Sequence, residues 1–154
     1  MDGHAMVFRA WFSIPERLST ETGQDTRGAY GFLTTFFKVL REHSPSHVVM
    51  TFDTRAPTFR DDLYPNYKAH RPPVDPALHE QIPLVKKIMD SFNVPVYELD
   101  GFEADDLVGT LSNQANKLNM DSLILTGDAD QLQLVDDRTR VLMYTGFGNS
   151  RVYD

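Results

Sequence analysis

Carboxylates placed directly behind short apolar runs carry most of the chemistry legible in this sequence. Asp53 follows the run 48–52, the group Glu103-Ala-Asp105-Asp106 follows 94–99, and Asp128-Ala-Asp130 follows 123–126. If those runs are neighbouring strands, their acids converge, and each raises its neighbours' pKa unless a cation sits among them. An oxygen-only ligand set favours Mg²⁺ or Mn²⁺, and a crowded one suggests two ions about 4 Å apart. Asp2 joins the set if a strand leads into it. A local reading competes, because Asp100-x-x-Glu103 and Asp128-x-x-Gln131 have capping-box spacing and acids in a first turn suit the helix dipole. Three strand-terminal acidic groups in one chain favour the metal reading. A calcium loop is excluded, since Asp128-Ala-Asp130 is not followed by the third acid, glycine and glutamate such loops need.

A second constellation is basic. Arg55, Arg60, Lys68 and Arg71, with His70, stand against only Asp61 and Asp62, interleaved with Phe59, Tyr64 and Tyr67. Cations among aromatic faces suit a nucleic-acid strand whose bases can stack. The net charge of -7 argues against such a partner only if the charges are evenly mixed, and here they are segregated. The bland reading of Lys68 and Arg71 is solvated loop charge; the proline-rich, aromatic setting favours function. Arg9 is open between a phosphate contact and a surface ion pair. His4 and His70 read as bystanders.

The positioning elements follow from periodicity. Residues 27–43 repeat apolar positions at helical spacing, 4–12 do so weakly, and 76–92 and 102–118 do so again, with Pro83 able to kink the third. Residues 47–52, 93–99, 122–126 and 140–144 read as short buried strands, and 131–135 as a short helix. Five prolines between 54 and 76 forbid one continuous helix, so that segment reads as a mobile loop. Helix and strand alternate, which predicts an α/β fold with a mainly parallel central sheet flanked by helices, its ligands at the carboxyl edge of the strands. The length of 154 residues with 41% hydrophobic content fits one domain over 1–154. Without cysteine there is no disulfide, thiolate zinc site or cysteine nucleophile, which fits a cytoplasmic protein. No apolar run is long enough to span a membrane, and no signal segment opens the chain.

Six ordered motifs, Asp2-Gly-His-Ala-Met-Val-Phe-Arg-Ala10, Phe52-Asp53, Ala56-Pro-Thr-Phe-Arg60, Tyr67-Lys-Ala-His-Arg71, Gly101-Phe-Glu-Ala-Asp-Asp106 and Thr126-Gly-Asp-Ala-Asp130, resemble the 5′-nuclease domain of bacterial DNA polymerase I. That group belongs with the flap endonucleases in the PIN-like fold. The resemblance implies a divalent-metal-dependent 5′-3′ exonuclease or flap endonuclease that hydrolyses DNA phosphodiesters to 5′-phosphate products in primer removal and repair. Its partners would be DNA with a 5′ flap or end, including an RNA/DNA primer, and a polymerase domain or partner polymerase. By matching position, Asp2, Asp53, Glu103, Asp105, Asp106, Asp128 and Asp130 take metal roles. Lys68 and Arg71, with Tyr67 and Arg60, fall on an arch over the active site, about 54–76. The resemblance also implies an apolar strand ahead of Asp2 and a helix-three-turn-helix module beyond Asp154. With Met1 alone before it, Asp2 is expected on a frayed end, the sheet lacks its first strand, and activity of the shortened chain is in question. The rival readings are a non-catalytic nucleic-acid- or metal-binding fragment and a PIN-type ribonuclease.

Overall fold

A computed structural model describes residues 1–146 and 149–154. Helix α1, Gly3–Ser13, starts where Asp2 accepts a hydrogen bond from the Ala5 amide at 3.0 Å, a side-chain cap on otherwise orphaned donors. Helix α2, Arg27–His43, ends on Ser44 in the left-handed region, with Pro45 next. Helix α4, Pro76–Ser91, opens with proline in its first turn behind the Asp75 cap, where proline's missing donor costs nothing. Helix α5 is Ala104–Lys117.

The α/β expectation holds, with a sheet that is more divided than the periodicity suggests. Strands β1, Met50–Thr51, and β2, Val96–Tyr97, pair in parallel. Strands β3, Ser122–Thr126, and β4, Thr139–Gly146, pair in parallel, and β5, Asn149–Tyr153, returns antiparallel to β4. Met1 and Asp2 join the halves: the Thr51 amide donates to the Met1 carbonyl at 3.0 Å, and the Asp2 amide donates to the Leu125 carbonyl at 2.9 Å. Asp2 is therefore not frayed. It is 2% exposed, because two strands and a helix cap hold it. Behind it, toward the amino ends of β1 and β3, lies a groove of about 370 Å³ bordered by Val48, Val49, Leu111, Ala115 and Leu123.

The core sits between the sheet and helices α1, α2 and α4, around Met6, Val7, Phe32, Phe36, Met50, Leu78, Val85 and Leu125. A smaller cluster of Val108, Ile124, Val141 and Met143 lies under α5. Gln81, fully buried, donates to the Asp25 carbonyl at 2.7 Å and accepts from the Ala29 amide at 3.2 Å, so this polar side chain, reaching from α4 to the start of α2, is satisfied. Gly3 faces the ring of Phe52, and a Cβ there would overlap it; this close approach brings α1 down onto β1 and sets Asp2 beside Asp53.

Segment 54–76 is not a plain loop. It contains a short helix α3, Phe59–Leu63, with a capping box between Thr58 and Asp61, and Thr58 pairs in parallel with Gly101. The prolines do break a long helix, but the box nucleates one turn between Pro57 and Pro65. The capping box expected at Asp100-x-x-Glu103 lies three residues later, between Glu103 and Asp106, because Phe102 still belongs to the turn closed by the Leu99 carbonyl. Asp128 does cap, but over a 3-10 helix, Ala129–Leu134. No helix among the described residues is long and apolar enough to cross a membrane.

Candidate metal centre and nucleic-acid interface

The strand ends deliver acids to one face, as the parallel arrangement requires. Asp2 Oδ2 accepts from the Thr126 hydroxyl at 2.7 Å, and the same hydroxyl accepts from the Asp128 amide at 3.0 Å. Thr126, the last residue of β3, thus ties the chain's first acid to the Asp128 turn. Asp53 Oδ1 accepts from the Ala104 amide at 2.6 Å, which fixes the first turn of α5 against the end of β1. Arg9 donates to the Gly127 carbonyl at 2.7 Å; its observed partner is the turn that carries Asp128.

Electrostatics separates the seven candidates. Burial, then the charges of Asp2, Asp128 and Asp53, push Asp105 up to about 6, against a restraining hydrogen bond from Gln131. Burial also raises Asp2, opposed by its bonds from Ala5 and Thr126 and assisted by Asp53. These four carboxylates crowd one region in mutual repulsion. Asp106 goes the other way: Arg60 grips it through two hydrogen bonds and holds it below the ordinary range despite partial burial. Glu103, 8% exposed, receives Lys68 Nζ at 2.6 Å and the Tyr67 hydroxyl at 3.2 Å, with Arg60 at 3.7 Å. Asp130 is exposed, its amide bound to Asp128 Oδ1 at 2.9 Å.

Two arch cations, Arg60 and Lys68, therefore lie on the acids. Burial works against the Lys68 charge, but the Glu103 hydrogen bond and charge outweigh it and raise its pKa. Arg60 is raised by the Asp106 hydrogen bond. Arg71 and His70 are exposed, next to Lys68 in the chain. His4, which the sequence marks as a bystander, sits with Nδ1 3.6 Å from Asp53 Oδ2 and its ring stacked on Phe8; burial lowers its pKa. It lines a depression of about 790 Å³ with Asp53, Arg55, His79 and Lys86. Sequence reasoning also passed over Thr126, whose signal was its place between β3 and the Gly127-Asp128 turn.

Among the described residues, no three Asp, Glu or His side chains close on a single point tightly enough to hold an ion. The donor chemistry nonetheless fits a hard divalent cation. Every candidate is a carboxylate, and the burial, with like charges beside it, that raises Asp2 and Asp105 is the stress a cation relieves.

The family described as 5′-3′ exonuclease, N-terminal resolvase-like domain, matches residues 1–154. DNA polymerase I of Chloroflexus aurantiacus is 40% identical over 149 residues, 96% of this chain and 16% of that protein. DNA polymerase I of Caldicellulosiruptor bescii is 42% identical over 135 residues, 88% of this chain and again 16% of the relative. The chain thus spans about a sixth of the relatives it matches. Among solved structures, zinc-bound T5 5′-exonuclease superposes with a TM-score of 0.69 at 20% identity, over 99% of this chain and 55% of the other. The bacteriophage T5 flap endonuclease with DNA and metal ions gives the same score, identity and coverage. At that identity the likeness is one of fold.

Proposed function

The chain belongs to the family of 5′-3′ exonuclease N-terminal, resolvase-like domains, and from that premise we propose that it is the catalytic core of a metal-dependent 5′-nuclease. Its substrate is DNA with a 5′ flap or 5′ end, an RNA-containing primer included, and its product carries a 5′-phosphate. The observation that carries this reading is the crowding of Asp2, Asp53, Asp105 and Asp128, drawn from the cap of α1, the loop after β1, the first turn of α5 and the turn after β3, beside a basic and aromatic segment. Asp2, Asp53, Asp105 and Asp128, with Glu103 once it is released from Lys68, would hold two Mg²⁺ or Mn²⁺ ions, and Asp130 stands at the rim. Ions bound there supply Lewis-acid charge that activates water and neutralises the phosphate.

The chain's own residues do the remaining work. Lys68 and Arg71 lie where they stabilise the charge that grows on the phosphoryl oxygens, and Tyr67 offers a face to an unpaired base. Thr126 holds Asp2 and the Asp128 turn in one arrangement, so little reorganisation is needed as charge develops. No protein nucleophile takes part. Segment 54–76 acts as an arch through which a single strand approaches, and residues 1–154 work as one domain. The reaction belongs to primer removal and repair in the cytoplasm, alongside a polymerase domain or partner.

The test is cleavage of a labelled 5′-flap DNA with Mg²⁺, Mn²⁺ or EDTA, beside single-stranded RNA and a binding assay. Cation-dependent flap cleavage supports the reading. Cleavage of RNA in preference to the flap assigns the chain to the PIN-type ribonucleases, and binding without cleavage under any cation makes it a non-catalytic module.

A further inference from the structure

Asp105 and Asp106 are adjacent, yet they face different parts of the molecule. Successive helix positions are turned by about 100°, so Asp105 meets the field of Asp2, Asp128 and Asp53 while Asp106 turns to the arch. There it meets a planar, two-point partner: Arg60 Nη1 donates to Oδ2 at 2.7 Å and Nη2 to Oδ1 at 2.8 Å. Oδ2 also accepts the Glu103 amide at 2.9 Å. Both oxygens are engaged, by three N–H groups.

The base of the arch is fastened to the start of α5 at this place by several independent contacts. The Phe59 amide donates to the Gly101 carbonyl at 3.2 Å, and Thr58 pairs with Gly101. The Phe59 and Phe102 rings meet at 5.9 Å, and the Arg60 guanidinium lies 4.5 Å over Phe59. By contrast, the far part of the arch reaches Glu103 through single bonds from Lys68 and Tyr67. A bidentate arginine–carboxylate pair fixes orientation as well as charge, which a lysine point contact does not.

We propose that Asp106 is a positioning residue that pins the base of the arch through Arg60 and is not an ion ligand. Its carboxylate stays on Arg60 when ions bind, and only the contacts to Glu103 are given up. The arch then opens by swinging about a fixed root, and the Lys68 end moves while the α3 end does not. This rests on the nuclease reading for the role of the neighbouring acids.

The experiment uses the 154-residue chain with Arg60→Gln, Asp106→Asn, the double variant, Arg60→Lys and Asp105→Asn. Trp11, buried at 4% exposure, reports folding by its emission. Mn²⁺ affinity is read by calorimetry and arch freedom by the rate of trypsin cleavage after Lys68. Arg60→Gln keeps the Glu103–Asp106 cap and so isolates the pin. The pin variants should keep Mn²⁺ affinity within about twofold while trypsin cleavage rises about tenfold, and the double should be no faster than the singles, since one pair is being broken. Arg60→Lys should recover part of the protection. Asp105→Asn should lose about tenfold or more in Mn²⁺ affinity with the arch still protected. An Asp106→Asn loss of Mn²⁺ affinity equal to that of Asp105→Asn overturns the proposal, as do additive trypsin rates. If the unaltered chain binds no Mn²⁺, the metal reading fails instead, and the trypsin rates still decide the pin.

Discussion

Lys68 Nζ lies 2.6 Å from Glu103 Oε1, so an arch cation and a carboxylate at the entrance to the acidic cluster neutralise each other. Glu103 is nearly buried while Lys68 is about a third exposed in its side chain. The pair gives the protein a counter-ion of its own at a place where free carboxylates would repel. The cation that should later meet a phosphate is thereby kept within reach of the ions.

Lys68→Ala is accordingly expected to lower the metal-free melting temperature by an amount equivalent to about 1 kcal/mol, less than for a fully buried pair because Tyr67 and Arg60 remain on Glu103. In saturating Mg²⁺ the loss should shrink, since an ion replaces the lost charge. In single-turnover flap cleavage the rate should fall more than the binding constant, as for a group that acts when charge develops. Thermal unfolding with and without Mg²⁺ checks the first statement; equal losses in both would mean that Lys68 and the ion do not share Glu103.

Asp105→Asn is expected to stabilise the metal-free chain while weakening ion binding. A carboxyl held at about 6 instead of 3.8 is costly to ionise in the folded state, so the cost is full above pH 6, falls between 6 and 4, and is gone below. Full strength would be about 3 kcal/mol, and solvent screening at this half-buried group reduces it to ~1 kcal/mol. The stability difference between Asp105→Asn and the parent should therefore be largest at pH 7 and vanish toward pH 4. Denaturant unfolding across that range checks it, and a difference independent of pH would assign the effect to packing.

Periodicity found α2, α4 and β3 within a residue or two because each buries one continuous face. Strands β1 and β2 were overextended, since Val48 and Val94 pack on the core without joining a ladder. Strand β5 left no signal: four of its five residues are exposed, so it has no apolar alternation to detect. Within the site, Asp53, the Glu103–Asp106 group and the Asp128–Asp130 group were legible as acids behind apolar runs that share an edge, and Asp2 only on the condition that a strand led into it. The pairing of Arg60 with Asp106 and of Lys68 with Glu103 was not, because it depends on how a proline-punctuated segment folds back across some forty residues. The expectation of a mobile arch missed those pairs for the same reason.

Gly3→Ala tests the close approach that sets Asp2 beside Asp53. The new methyl would overlap the Phe52 ring, and such overpacking costs about 1–3 kcal/mol. Adding Phe52→Leu should recover much of that loss, because the three atoms nearest the new methyl all belong to that ring. Melting curves of the single and double variants decide it; no recovery in the double would locate the strain in the backbone of Gly3.

The groove beside Met1 yields the last expectation. Met1 and Asp2 already pair with Thr51 and Leu125 in the sense of a strand running between β1 and β3. The same line, continued backward, passes between Val49 and Leu123 under Leu111 and Ala115, through the space of about 370 Å³. A segment of about five β-branched residues placed ahead of Met1 would extend both ladders and bury its alternate side chains there. It would also turn the Met1 ammonium, lowered to about 6 by burial, into a peptide N–H that keeps the bond to the Val49 carbonyl at 2.9 Å. Each kilocalorie gained at this chain length is worth roughly 2–4 °C, so a gain of about 2 kcal/mol or more should raise the melting temperature by about 5 °C, with tighter Mn²⁺ binding because Asp2 is held at both ends. A Gly-Ser extension of equal length removes the ammonium without filling the groove and should give only part of the rise. If the two extensions perform alike, the groove does not accept a strand, and the gain comes from the lost charge alone.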